Sequence, residues 1–229
     1  MTRNRIFNLC GLVVVFIICV SFLFACIKIA ASKENEQLYL QGKVIFIDAG
    51  HGGKDNGANV DGVLEDSINM KISGYLFEQL IETGAYVLMS RTGDYDLASM
   101  YDTNRKRKDL HNRVKYINNS NPDLFISIHL NTYPSENVEG AQVFHQSNVN
   151  SITFSKLLQQ EMNKLTSKER KVKLGDYYIL NNTNSAGAIV ECGFLSNTKE
   201  REKLADDSYQ RKIAKAIKKG IEKYFISKE

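Results

Sequence analysis

Lys43-Val44-Ile45-Phe46-Ile47-Asp48-Ala49-Gly50-His51-Gly52-Gly53-Lys54-Asp55-Asn56-Gly57-Ala58 decides the fold class. Its first half is β-branched and apolar, which reads as a buried strand. Its second half is a glycine-rich loop with a histidine just past the strand's carboxyl end. Glycines let the backbone turn sharply and leave the imidazole open. In open α/β sheets ligands gather at that end of the strands. Downstream, Leu64, Ile68, Ile72, Leu76 and Leu80 recur every fourth residue, so residues 64–83 are expected to form an amphipathic helix stopped by Gly84.

The alternation continues. Strands are expected over 85–90, 123–130, 138–145, 177–180 and 188–191, and helices over 109–119, 151–165 and 207–224. This pattern implies a single α/β domain with a mixed or largely parallel twisted sheet flanked by helices. The expected division is an N-terminal membrane segment over 1–31, a polar tether over 32–42 and a catalytic domain over 43–229.

Residues 6–31 are almost uninterruptedly apolar after Arg3 and Arg5. An uncharged run of about 20 residues can cross a bilayer, and the arginines would keep the N-terminus cytoplasmic. A cleaved signal peptide and a lipoprotein box at Leu23-Phe24-Ala25-Cys26 compete with an uncleaved anchor. All three send the C-terminal domain outside the cytoplasmic membrane.

Cys10, Cys19 and Cys26 lie in that run, and Cys192 is the one cysteine beyond it, so no disulfide is expected within the domain. The net charge is +4, with acidic and basic residues interspersed, which argues against nucleic acid as a partner. The dense run Arg105-Lys106-Arg107-Lys108 reads as a solvated helix start, with a polyanion contact as the alternative.

Two further strand ends carry candidate chemistry. Ser127-Ile128-His129-Leu130-Asn131 places a second histidine at a strand terminus. Ile189-Val190-Glu191-Cys192-Gly193-Phe194 closes an apolar strand with a carboxylate. A buried carboxylate needs a partner or a raised pKa, and a general base beside a metal has use for both. Catalytic zinc takes three protein ligands and keeps a fourth position open. Glu65, opening the helix after the glycine loop, is the leading third ligand; Asp66, Asp55 and Asp61 compete with it. His111 reads as a helix-surface residue and His145 as a strand-end residue.

Taken together, these strings resemble the zinc-dependent N-acetylmuramoyl-L-alanine amidases of the Amidase_3 (AmiC-like) family. The resemblance runs over most of residues 43–225. It includes the glycine–histidine loop, Glu65, Ser90-Arg91, Leu110 with Arg113 and Asn118, the His129/Asn131 pair, and Glu191 through Asn197. It implies that His51, Glu65 and His129 bind Zn2+ and that Glu191 is catalytic. The implied substrate is the muramyl–L-alanine amide of peptidoglycan. Asn56, Cys192 and Ile117 depart from the family's usual proline, threonine and alanine without removing any of those four; Cys192 is expected to pack.

Some relatives carry an inserted helix that plugs the cleft. Only one helix is expected between Asn131 and Glu191, which favours control by an activator protein or by timing of expression. Compact anchored members act in spore cortex maturation through muramic-δ-lactam, which would place the domain in the forespore intermembrane space. The alternatives are an autolysin of cell separation, another zinc hydrolase of wall peptides, and a non-catalytic wall-binding relative.

Overall fold

The computed structural model describes residues 13–28 and 39–228. The chain divides into two compact units, residues 1–39 and 40–229. In the first, residues 13–28 form a helix, α1, with exposed apolar side chains such as Phe16 and Phe22. Among the described residues no helix is long and apolar enough to cross a membrane, so the transmembrane segment expected over 1–31 is not supported. The rest of that segment, and residues 32–38 of the tether, lie outside the described residues.

The second unit is a six-stranded sheet in the order β4-β1-β5-β8-β6-β7. Its strands are β1 (Val44–Ala49), β4 (Tyr86–Met89), β5 (Leu124–Asn131), β6 (Gln142–His145), β7 (Lys173–Leu174) and β8 (Gly187–Phe194). All neighbours are parallel except β6 and β8. Helices α2 (Glu65–Ile81), α3 (Arg105–Ser120), α4 (Val149–Asn163), α5 (Tyr178–Asn182), α6 (Thr198–Ala205) and α7 (Asp207–Ile226) complete it.

Alternation along each strand separates two cores. Ile45, Ile47, Ile126, Ile128, Val190 and Cys192 enter the larger core, with residues of α2, α4 and α7. Phe46, Phe125 and Ile189 enter a smaller one with Val114 and Ile117 of α3 and Ile179 and Leu180 of α5. The same period of two carries Asp48, Ser127, His129 and Glu191 onto the α3 side of the sheet. At their carboxyl ends β1, β5 and β8 therefore change from apolar packing to polar side chains, on the face where the helices leave an opening.

The expected strand over 177–180 is instead α5. Ile179 and Leu180 are both buried there, packed with Val114 and Ile117 of α3 in the smaller core. The sheet edge is taken by β7, two residues long. A hairpin of β2 (Asn59–Val60) and β3 (Val63–Leu64) interrupts the loop before α2. Its Asp61-Gly62 turn has φ of 51° and 79°, the positive pair that a tight hairpin demands.

Candidate active site

His51 leaves β1 in a left-handed conformation, φ 60°. Two buried arginines hold this backbone. Arg91 donates from Nε to the Ala49 carbonyl at 3.0 Å and from a guanidinium nitrogen to the Gly50 carbonyl at 3.0 Å. Arg113 donates to the Ala49 carbonyl at 2.7 Å and the His51 carbonyl at 2.6 Å. Arg113 in turn pairs with Asp48 at 2.8 Å and Asp109 at 2.8 Å. Burial opposes ionisation of Asp48, but Arg113 and the Ser127 hydroxyl outweigh it and hold the carboxyl below its usual range.

The ring of His51 is oriented from behind. Its Nδ1 lies 2.9 Å from Asp55 Oδ2, and Lys106 Nζ stands 3.2 Å from the same oxygen. Its Nε2 is left facing Glu65 Oε1 at 3.2 Å. A carboxylate behind a histidine fixes the tautomer and raises basicity at the other nitrogen.

Glu65 is the first residue of α2, where a negative charge suits the helix dipole. Its Oε2 accepts from the Ala58 amide at 2.8 Å and its Oε1 from the Leu130 amide at 3.1 Å. His129 approaches from β5, with Nδ1 3.0 Å from Glu65 Oε1. Gly50 makes room for that ring: a Cβ there would lie 2.3 Å from His129 Cε1. One donor atom each from His51, Glu65 and His129 falls within 4.8 Å of the others, so the three could hold a metal ion. Zinc–ligand distances of about 2.0–2.2 Å set tetrahedral donors roughly 3.3–3.6 Å apart, which fits this trio after small adjustments.

Glu191 stands opposite His129 in the β5–β8 register. It is 8% exposed, and its Oε2 is buried without a hydrogen-bond partner among the described residues. Burial pushes its pKa up to about 7 against the opposing charge of His129. Burial and the charge of Glu191 push the Tyr177 phenol up to about 12. A cavity of about 340 Å³ is lined by His51, Glu65, His129 and Glu191 together with Asn131 and Tyr177.

The other candidates are sorted by the same geometry. Asp55 backs His51, Asp61 pairs with Arg201 at 2.6 Å, and Asp66 is buried outside the trio. Cys192 points into the larger core on the opposite face of β8 from Glu191, and burial raises its thiol pKa well above normal. His111 lies exposed on α3, and His145 hydrogen-bonds its neighbour's carbonyl at 2.7 Å. Sequence reasoning missed the orienting role of Asp55 and read Arg91 and Arg113 only as structural or substrate-edge groups; the structure shows them bonding the backbone of the histidine loop. Lys106, in the basic run, spends its charge on Asp55.

Residues 45–223 match the N-acetylmuramoyl-L-alanine amidase family, Amidase_3. The chain belongs to that family. This amidase is 40% identical over 197 residues to the germination-specific N-acetylmuramoyl-L-alanine amidase of Bacillus subtilis, covering 83% of each chain. It is 30% identical to the Bacillus subtilis amidase LytC over 86% of its own length and 38% of LytC. Among solved structures it resembles the CwlD amidase from Clostridioides difficile, determined in complex with the GerS lipoprotein. That likeness has a TM-score of 0.79 at 38% identity, over 82% of this chain and 100% of that one.

Proposed function

We propose that this amidase uses zinc, held by His51, Glu65 and His129, and that Glu191 is its general base and acid. The carrying observation is the buried Glu191 carboxylate beside the convergent trio, its Oε2 without a hydrogen-bond partner among the described residues. Two imidazoles and one carboxylate are a zinc-type donor set. Zinc bound there would act as a Lewis acid toward the scissile carbonyl and lower the pKa of the attacking water.

The residues of the chain do the rest. Glu191, short of hydrogen bonds in its buried position, accepts a proton from the attacking water and delivers it to the departing L-alanine nitrogen. Asp55 keeps the His51 ring turned so that Nε2 faces the cavity. Arg91 and Arg113 fix the strained loop that carries it. The products are a lactyl carboxylate on the muramyl sugar and a stem peptide with a free L-alanine amine.

The likeness to a germination-specific amidase supports a role in spore cortex maturation, through muramic-δ-lactam formation, over cell separation. The solved pairing of CwlD with a lipoprotein supports an activator protein as partner. The catalytic domain would act outside the cytoplasmic membrane, with residues 1–31 as its address on the strength of their apolar run.

The test is Glu191→Gln. The variant should retain zinc by elemental analysis yet release stem peptides from muropeptides at least about 100-fold more slowly, the lower end of general acid–base contributions. Turnover at the wild-type rate would remove Glu191 from the mechanism. Mass spectrometry showing cuts inside the stem peptide would replace the amidase assignment with a peptidase.

A further inference from the structure

The basic run at the start of α3 is only half paired, and only Lys106 of it lines the catalytic cavity. Arg105 pairs with Asp96 and Lys106 with Asp55. The side chains of Arg107 and Lys108 are exposed and make no ion pair or hydrogen bond among the described residues. The first turn of α3 holds no acidic residue. Cations at a helix N-terminus face the positive end of its dipole and are disfavoured there. A sequence that breaks a local rule without internal compensation points to a use outside the fold.

These side chains border a groove. Asn104, Arg107, Lys108 and His111 follow i, i+3, i+4, i+7 spacing and share one face of α3. With Leu110 and Tyr178 they line a cavity of about 520 Å³. Leu110 and Tyr178 also line the cavity that holds His51, Glu65, His129 and Glu191, so the two spaces share a wall. His111 Nδ1 lies 3.3 Å from the Tyr178 hydroxyl, which joins α3 to α5 across the groove. The lining also carries one acid, Asp102, whose Oδ2 accepts from the Ser99 amide at 2.7 Å.

We propose that this groove is a subsite for the stem peptide, in which Arg107 and Lys108 bind the free carboxylates beyond its L-alanine. The inference rests on the amidase reading, because it needs the scissile bond in the neighbouring cavity. An extended peptide advances about 3.3–3.6 Å per residue. Residues beyond the L-alanine that cross the shared Leu110–Tyr178 wall enter the groove. Their carboxylates, such as the α-carboxylate of a γ-linked glutamate, meet two cations that have no other partner among the described residues. Charge-assisted hydrogen bonds of this kind are the strong ones.

The test compares two soluble substrates on the full-length amidase. One is N-acetylmuramyl-L-alanyl-D-glutamate, and the other is the same molecule with its glutamate α-carboxylate amidated (the D-isoglutamine form). The wild type should favour the acid in kcat/KM by about tenfold, through KM, the scale of one charge-assisted contact. Arg107→Gln with Lys108→Gln should erase that preference. Calorimetric binding of the free stem tripeptide should weaken by a similar factor in the double variant, and should weaken with salt in the wild type. An acid-to-amide preference unchanged by the double substitution, with unchanged tripeptide binding, would overturn the subsite. A loss seen only on walls carrying phosphate polymers would replace it with a polyanion contact. Failure of the wild type to cut either substrate would strike the bond assignment instead, and tripeptide binding would then decide the groove by itself.

Discussion

At the residue scale, the site depends on a charge cluster that never touches the metal-type donors. Arg113 joins Asp48, Asp109 and the carbonyls of Ala49 and His51, and the three charged side chains are buried. Removing one member of a buried pair leaves an uncompensated charge, which costs about 3–5 kcal/mol. Asp48→Asn should therefore lower stability by about that amount at pH 7. The pH dependence follows from the depressed pKa of Asp48. Its contribution is complete above the unfolded carboxyl pKa of about 3.9. It is lost as pH falls through the lower folded value, because the unfolded chain takes up the proton first. Urea denaturation should show the gap between wild type and variant narrowing below about pH 4; a gap constant from pH 7 to pH 3 would contradict this. His51, His129 and Glu191 were legible in the sequence because each follows an apolar, β-branched run; β5 and β8 continue past His129 and Glu191, to Asn131 and Phe194. Glu65 was legible as a helix opener but could not be separated from its neighbouring acids. Arg113 had no local signature, since its partner Asp48 lies 65 positions away.

At the element scale, long helices were legible and short edge elements were not. α7 repeats Ile213, Ile217, Ile221 and Tyr224 on one face, and all four are buried. Such periodicity over about three turns leaves little ambiguity. The Tyr177–Leu180 segment is too short for period to separate helix from strand, and its burial against Phe46 and Phe125 decided the outcome. The β2–β3 hairpin did carry a signal, Asp61-Gly62 between β-branched residues, which sequence analysis passed over. Ile217→Ala tests the α7 contact. Ile217 is fully buried, so the change should cost about 2–5 kcal/mol. The folded variant should take up zinc as the wild type does, because α7 packs in the larger core and not on the α3 face. A loss below about 1 kcal/mol would mean that α7 is not part of the core.

At the scale of the whole molecule, the catalytic chemistry belongs to one of two units. Residues 40–229 contain both cores and all four proposed site residues. A fragment of those residues should melt within a few degrees of the full chain and hydrolyse soluble muropeptides at a similar rate. Failure of the fragment to fold would show that residues 1–39 contribute to the core. Zinc binding at the convergent trio is the central claim, and it is most directly tested by a zinc-edge anomalous difference map from crystals of the zinc-loaded amidase. One peak is expected, about 2.0–2.2 Å from His51 Nε2, His129 Nδ1 and a Glu65 carboxylate oxygen, with Glu191 beside it and not bound to it. A zinc peak elsewhere in the molecule, with those three side chains free of metal, would contradict the account.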